Sequence, residues 1–146
     1  MIRTLARLVL GGFLVLAGTA HLTWLREEFP AQVPDWVVDA LPVSIDAVVV
    51  VSGVVEIAAG LAVLLAPRAW RPAVGWAVAA LFVAVFPGNV HQWLAGNDAF
   101  GLDTDGARLT RLFFQPLLVA WALWCTGAWA ALRGRSGTRL SPGAAP

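Results

Sequence analysis

Four long apolar runs, separated by polar or proline-containing connections, limit what this chain can fold into. They cover about residues 4–25, 44–66, 73–94 and 109–132. A helical run of 22 residues is roughly 33 Å long, which is enough to cross the hydrocarbon core of a bilayer. Hydrophobic residues make up 59% of the 146-residue chain and charged residues only 13%, and a soluble fold this short cannot bury that much apolar surface. The sequence therefore predicts an all-α integral membrane protein with four transmembrane helices in one domain, residues 1–132.

The charged residues are divided between alternate connections, and this division predicts the topology. The N-terminus, the 67–72 turn and the C-terminal tail hold seven of the ten arginines and no acidic residue: Arg3, Arg7, Arg68, Arg71, Arg133, Arg135 and Arg139. The other two connections hold eight of the nine acidic residues: Glu27, Glu28, Asp35, Asp39, Asp46, Asp98, Asp103 and Asp105. The positive-inside rule then places both termini in the cytoplasm. The short turn between the second and third runs favours an up-down-up-down four-helix bundle.

The segments outside the four runs are less regular. Residues 26–43 contain three prolines, but Asp35–Leu41 predicts a short interfacial helix over the mouth of the bundle, with Trp36 as a lid. An irregular solvated loop is the alternative. The basic tail, residues 133–146, is rich in Gly and Ser, and we expect it to be disordered in the cytoplasm. The first run also resembles a signal peptide, although its continuation through His21 to Trp24 favours an uncleaved helix.

Several functional classes are excluded or weakened by the composition. The net charge of +1 and the lack of a basic stripe argue against nucleic-acid binding. The single cysteine, Cys125, rules out an intramolecular disulfide and a CxxC redox pair. Two histidines supply at most half of a zinc shell, and the acidic residues show no ligand spacing, so no metal site is predicted. Haem held by both histidines is geometrically conceivable.

The segment Phe86–Leu94 ends the third run and places a proline, an amide and a histidine in the last turns of the predicted membrane helix. Pro87 lacks a backbone donor, which predicts a kink and a free carbonyl near Val83. Trp residues next to each histidine place both imidazoles near the outer leaflet. Residues of the third and fourth runs share this depth. We therefore predict an outer-leaflet ligand pocket formed by His21, Asn89, His91, Arg111 and Gln115.

Glu56 lies deeper, in the middle of the second run. A carboxyl group at this depth is costly, so it normally faces the interior of a bundle and is protonated or paired. The small residues Gly53, Ala59 and Gly60 beside it let a neighbouring helix approach closely. Glu56 is therefore predicted to be a buried acidic group with either a functional or a structural role.

At these residues the chain resembles the DoxX family of small bacterial membrane proteins. The matching segments are Ala17-Gly18-Thr19-Ala20-His21, Pro34-Asp35-Trp36, Ser52-Gly53-Val54-Val55-Glu56-Ile57, Phe86-Pro87-Gly88-Asn89-Val90-His91-Gln92-Trp93 and Arg111-Leu112-Phe113-Phe114-Gln115-Pro116. The resemblance covers about residues 4–132. It implies a four-helix protein of a bacterial inner membrane, and some members are membrane subunits of quinone-linked oxidoreductases. It assigns no catalytic residue here.

The leading hypothesis is a quinone- or lipid-facing membrane subunit of an oxidoreductase system. Its partners would be the lipid bilayer and a soluble or membrane oxidoreductase subunit, and the sequence leaves open whether the chain forms a homo-oligomer. The alternatives are a small-molecule transporter or binding module whose action depends on protonation of Glu56, and a structural scaffold without redox activity. No self-contained enzyme is indicated, because no nucleophile lies beside a base.

Overall fold

The protein is all-helical over the part of the chain that the structure, a computed structural model, describes. That part is residues 1–137, with side chains up to Arg133. Four long helices are α1 (Ile2–Leu22), α3 (Ile45–Leu65), α4 (Arg71–Ala95) and α5 (Asp105–Cys125). A 3₁₀ helix (Phe29–Gln32) and the short α2 (Asp35–Ala40) follow α1, and α6 (Ala128–Gly137) follows α5. The short helix expected over residues 35–41 is thus present.

Three of the long helices, α1, α3 and α4, are long and apolar enough to cross a membrane. The protein is therefore an all-helical membrane protein, as the apolar runs predicted. Helix α5 is as long as α1 and α3 but is not among the three, because Arg108, Arg111 and Gln115 lie in its first half. Ser44 and Thr104 begin α3 and α5 as side-chain N-caps, each accepting a hydrogen bond from the backbone N–H three residues later.

The predicted fourth run differs from the structure. Instead of one helix over residues 109–132, α5 begins at Asp105 and ends at Cys125, and α6 begins at Ala128. Gly127, with a φ of +80°, lies at the break and adopts a left-handed conformation that suits glycine. The predicted disordered tail, 133–146, begins inside α6, and its residues 138–146 lie outside the described part of the chain.

We call the end of the bundle with the 66–70 turn between α3 and α4 the turn end, and the end with the 23–44 and 96–104 connections the loop end. At the turn end, Arg7 of α1 donates hydrogen bonds to the carbonyls of Val63 and Leu64 in the last turn of α3. At the same end, the guanidinium of Arg3 lies 5.9 Å from the ring of Trp124 in α5. At the loop end, the connections 23–44 and 96–104 cover the end of α1, the start of α3, the end of α4 and the start of α5.

Helices α1 and α3 pack closely through two pairs of glycines, which we call the glycine seam: Gly11 with Gly60, and Gly18 with Gly53. A Cβ added to Gly60 would lie 2.7 Å from the Gly11 carbonyl oxygen, and one on Gly53 would lie 2.9 Å from the Gly18 carbonyl oxygen. These distances are too short for any side chain, so the two backbones touch. Close approach through small residues is a common way for helices to associate in a membrane.

The main apolar core lies toward the turn end and contains residues from all four long helices: Leu10, Leu14, Val63, Val78, Phe82, Ala122 and Cys125. Arg7 is buried beside this core and is 6% exposed. Its two carbonyl partners belong to the last turn of α3, whose carbonyls have no partner within their own helix. The buried arginine therefore caps α3 through its Nη1 atom.

Candidate functional site

A cavity of about 940 Å³ lies at the loop end and extends between the long helices. It is lined by residues of α1, α3, α4 and α5, by the 3₁₀ helix and α2, and by the 96–104 connection. Most lining side chains are apolar, and the polar ones are gathered near the covering loops. This combination, an apolar volume with a few converging polar groups, is typical of a small-molecule site.

His21 is the polar residue that α1 contributes to the cavity wall, and it is 7% exposed. Its Nδ1 lies 2.9 Å from Ser52 Oγ, and Ser52 Oγ lies 2.9 Å from the Val49 carbonyl oxygen. If the hydroxyl hydrogen is donated to that carbonyl, Nδ1–H of His21 donates to Ser52 Oγ. The remaining ring nitrogen, Nε2, then faces Glu56 Oε2 at 3.4 Å.

Glu56 lies behind His21 with a side chain that is 13% exposed. Its Oε2 atom is buried and makes no hydrogen bond among the described residues, although His21 Nε2 lies within ion-pair distance of it. A buried carboxyl oxygen without a partner is costly unless the group carries a proton. His21 Nε2 and Glu56 together can hold one proton at the polar end of the cavity.

An aromatic stack separates His21 from Arg111 and covers the site. The His21 and Phe29 rings are stacked with centroids 3.3 Å apart, and Phe29 meets Phe100 edge-on at 4.8 Å. The Arg111 guanidinium carbon lies 4.8 Å from the Phe100 ring centroid. Phe100 has a φ of +59°, which is costly for a residue with a side chain. Its backbone N–H donates to the carboxylate of Glu28, which fixes the second connection against the first.

Four side-chain amides form a connected network, and three of them, Gln32, Asn89 and Gln115, line the cavity. Gln115 Nε2 donates to the Phe82 carbonyl at 2.7 Å, and Asn89 Nδ2 donates to Gln115 Oε1 at 3.1 Å. Gln32 Nε2 lies 3.2 Å from Asn89 Oδ1 and 2.9 Å from Gln92 Oε1. Helix α4 continues through Pro87. The sequence predicted a free carbonyl near Val83, and Gln115 donates to the carbonyl of the residue before it, Phe82.

Arg111 has no acidic partner within 4 Å among the described residues, although it lines the cavity. Its Nη1 lies 3.4 Å from Gln92 Oε1. If the Gln32 amide is turned by half a rotation, its oxygen accepts from both terminal nitrogens of Arg111, at 2.7 and 2.8 Å. In either orientation, the guanidinium is held by neutral groups, and Glu56 attracts it electrostatically only from beyond ion-pair distance.

The structure brings most of the predicted site residues to this cavity. The lining includes His21, Glu56, Asn89, Arg111, Gln115 and the predicted lid, Trp36, which is 61% exposed. His91 does not line the cavity, although it was predicted to pair with His21. It lies two residues from Asn89 and therefore about 200° around α4 from it. The structure thus gives no support to a haem held by both imidazoles.

Four further residues at the site were not predicted: Phe29, Gln32, Ser52 and Phe100. Ser52 could have been found, because it precedes Glu56 by four residues and so shares its face of α3. The other three lie in connections, whose side-chain directions have no periodic signal. Among residues 1–137, no three His, Cys, Asp or Glu side chains are grouped so as to hold a metal ion.

Comparison with known proteins identifies a family. The family model described as Domain of unknown function (DUF8561) matches residues 10–126, so the chain belongs to that family. No curated protein and no solved structure is detectably similar to the chain. The matched range includes most of α1, all of α3, α4 and α5, and every polar group of the cavity.

Proposed function

We propose that this member of the DUF8561 family is a membrane subunit that binds a quinone-type ligand and serves an oxidoreductase partner. The observation that carries the proposal is the loop-end cavity: about 940 Å³ of mainly apolar space with His21, Arg111 and side-chain amides at one end. A quinone has an apolar body and carbonyl oxygens that only accept hydrogen bonds. Arg111 offers donors without an acidic partner, which suits such an acceptor.

The proposed topology has four membrane-spanning helices in an up-down-up-down bundle with both termini in the cytoplasm. Helix α5 is the fourth span, since its 21 residues are about 31 Å long. Its polar residues Arg111 and Gln115 point into the cavity and not toward lipid. The distribution of arginines supports this orientation, and it places the cavity in the outer leaflet of a bacterial inner membrane.

The resemblance to the DoxX family supports the link to oxidoreductases. Its matching segments include His21, Glu56, Asn89, Arg111 and Gln115, all of which line the cavity. The chain has no CxxC pair, so electrons would come from a partner protein. The role proposed for this chain is to bind and orient the quinone and to supply a proton-holding group.

The test is binding of a short-chain benzoquinone to the purified protein in nanodiscs, followed by quenching of tryptophan fluorescence. Arg111→Gln should weaken binding by about tenfold, the loss expected for one hydrogen bond to a charged group. His21→Ala should also weaken binding, because it removes a ring that lines the polar end of the cavity. His91→Ala is the matched control and should bind as the wild type does. Unchanged affinity in a His21→Ala, Arg111→Gln double variant would refute the assignment of the site.

A second candidate is a proton-linked transporter of small molecules, and the unpartnered Oε2 of Glu56 favours it. In proteoliposomes, this candidate predicts uptake that depends on an imposed pH gradient and is lost in Glu56→Gln. If Glu56→Gln changes neither quinone binding nor uptake, the polar cluster has only a structural role.

A further inference from the structure

A long apolar groove extends from the polar end of the cavity along the seam between α1 and α5. Its walls are two helix faces, each made of residues that recur at intervals of mostly three or four. The α1 face contains Val9, Phe13, Leu16, Ala17 and Ala20, and Trp24 follows just after the end of the helix. The α5 face contains Ala107, Thr110, Phe114, Leu118 and Trp121. Each face extends over roughly 20 Å of helix axis.

The groove has a polar end and an apolar end. Helix α1 ends at the loop end and α5 begins there, so His21 and Arg111 lie at the same end of the groove. Val9 and Trp121 lie at the other end, where Trp121 packs against the main apolar core. A molecule with its head at His21 would therefore have its tail directed toward the middle of the protein.

The groove is open to its surroundings along its side. Four of its lining residues keep about half of their surface exposed: Val9 at 50%, Phe13 at 47%, Leu16 at 59% and Phe114 at 56%. On membrane-spanning helices, such surface faces lipid. Because the wall consists of exposed apolar side chains and not a closed core, a hydrophobic molecule can enter from the bilayer without crossing the polar loops.

We infer that this groove holds the tail of the ligand whose head binds at the polar end, and that the ligand is a single-chain membrane lipid such as an isoprenoid quinone. The inference rests on the proposed function. Head site and groove form one continuous cavity, and about 940 Å³ is near the upper limit for one small-molecule ligand. Its volume suits one head with one tail that enters sideways between α1 and α5.

A second groove, between α3 and α4, serves as an internal comparison. It has a volume of about 330 Å³ and is lined only by apolar residues, among them Ala58, Ala59 and Ala62. It therefore offers contact to any hydrocarbon chain but no group that could bind a head. A hydrocarbon tail that binds only through apolar contact should occupy both grooves, whereas a ligand whose head binds at the polar end should occupy only the groove between α1 and α5.

The experiment uses a decyl benzoquinone with a diazirine at the end of its chain, bound to the full-length protein in nanodiscs. After illumination, labelled peptides are identified by mass spectrometry. We expect adducts on residues of the apolar end of the groove, on α1 near Val9 and Phe13 and on α5 near Leu118 and Trp121. Excess benzoquinone without a tail should displace the probe and remove most of this labelling.

Ala17→Phe tests the groove itself, because it places a large ring on the α1 face between the head site and Val9, and side chains on a helix point toward its N-terminus and so away from His21. It should remove most of the tail labelling and leave binding of the tail-less quinone unchanged. Ala120→Phe adds the same ring to an exposed face of α5 outside the groove and is the matched control. It should label as the wild type does, which also shows that a phenyl ring in a long helix is tolerated.

The two proposals fail in different ways. Adducts on the α3–α4 groove, or spread evenly over the lipid-facing helices, overturn the inference even if the tail-less quinone binds. A photoreactive phospholipid that labels the α1–α5 groove and is not displaced by tail-less quinone also overturns it, because the occupant is then a bilayer lipid. If the tail-less quinone does not bind, the proposed function fails, and the inference that rests on it fails as well.

Discussion

At the turn end, apolar side chains of the four long helices meet in a close-packed core, whereas at the loop end the same helices enclose a cavity. The polar groups are distributed accordingly. Arg7 at the turn end donates hydrogen bonds to two carbonyls of α3. At the loop end, Glu56 Oε2 and Arg108 Nε are buried and make no hydrogen bond among the described residues.

This difference indicates which end was shaped by stability and which by another requirement. Buried polar groups cost free energy when their hydrogen bonds are incomplete. Natural proteins keep such groups, and strained residues such as Phe100, mainly at sites with a function. The packing at the turn end therefore offsets the free energy that the incomplete hydrogen bonds at the loop end cost.

The largest effect should come from the glycine seam. A Cβ at Gly18 would lie 2.8 Å from the backbone nitrogen of Ile57, so Gly18→Ala must push α1 away from α3. We expect a loss of about 3 kcal/mol of unfolding free energy, the upper part of the range for overpacking. Gly12→Ala is the control, because a Cβ there meets nothing within 4 Å. Equal unfolding midpoints for the two variants in detergent would contradict the seam.

A smaller loss is expected for Arg7→Met at the turn end. The substitution keeps an apolar stem but leaves the Val63 and Leu64 carbonyls without their partner, which should cost about 2 kcal/mol. Arg3→Met, at an exposed position over Trp124, should cost less than about 1 kcal/mol. Thermal unfolding in detergent compares the two, and a larger loss for Arg3→Met would show that α3 is not capped in this way.

At the loop end, removal of a buried polar group should not lower the unfolding free energy. Glu56→Leu replaces a carboxyl whose buried Oε2 makes no hydrogen bond by an apolar side chain of similar size, and His21 keeps its contact with Ser52. The unfolding free energy should therefore stay the same or rise by about 1 kcal/mol. The same variant should bind quinone less well if Glu56 holds a proton for the ligand. Destabilisation as large as that of Arg7→Met would mean that Glu56 holds the helices together.

The smallest effect is expected for the ion pair between Arg26 and Asp46, which joins the first connection to the start of α3. Both side chains are substantially exposed, at 43% and 65%. Arg26→Gln should change the unfolding free energy by less than about 1 kcal/mol, as is usual for exposed pairs. A double-mutant cycle with Asp46→Asn measures the coupling, and a value well above this limit would show that the loops are a major source of stability.

Much of the fold could be predicted, because apolar length is recorded locally in the sequence. The predicted runs 4–25, 44–66 and 73–94 differ from α1, α3 and α4 by only a few residues. The fourth run was less accurate for two reasons. The cap at Thr104 extends α5 into a polar segment, and the break at Gly127 lies inside a sequence that is still apolar.

The site was harder to predict, because depth in the membrane does not determine direction around a helix. His21 and His91 were assigned to one pocket because both lie beside a tryptophan near a helix end. The helical angle between Asn89 and His91 makes it difficult for both to face one cavity. Phe29, Gln32 and Phe100 reach the site through the packing of two connections, which leaves no periodic trace in the sequence.

The most direct test of the central claim uses the fact that the chain has only two histidines. Protein labelled with ¹⁵N-histidine should give imidazole signals from His21 and His91 alone, and His91→Ala assigns them. On titration with a short-chain benzoquinone in nanodiscs, the account predicts that the His21 signals shift and the His91 signals do not. A shift confined to His91, or no shift of either residue at saturating ligand, would contradict a quinone site in the loop-end cavity.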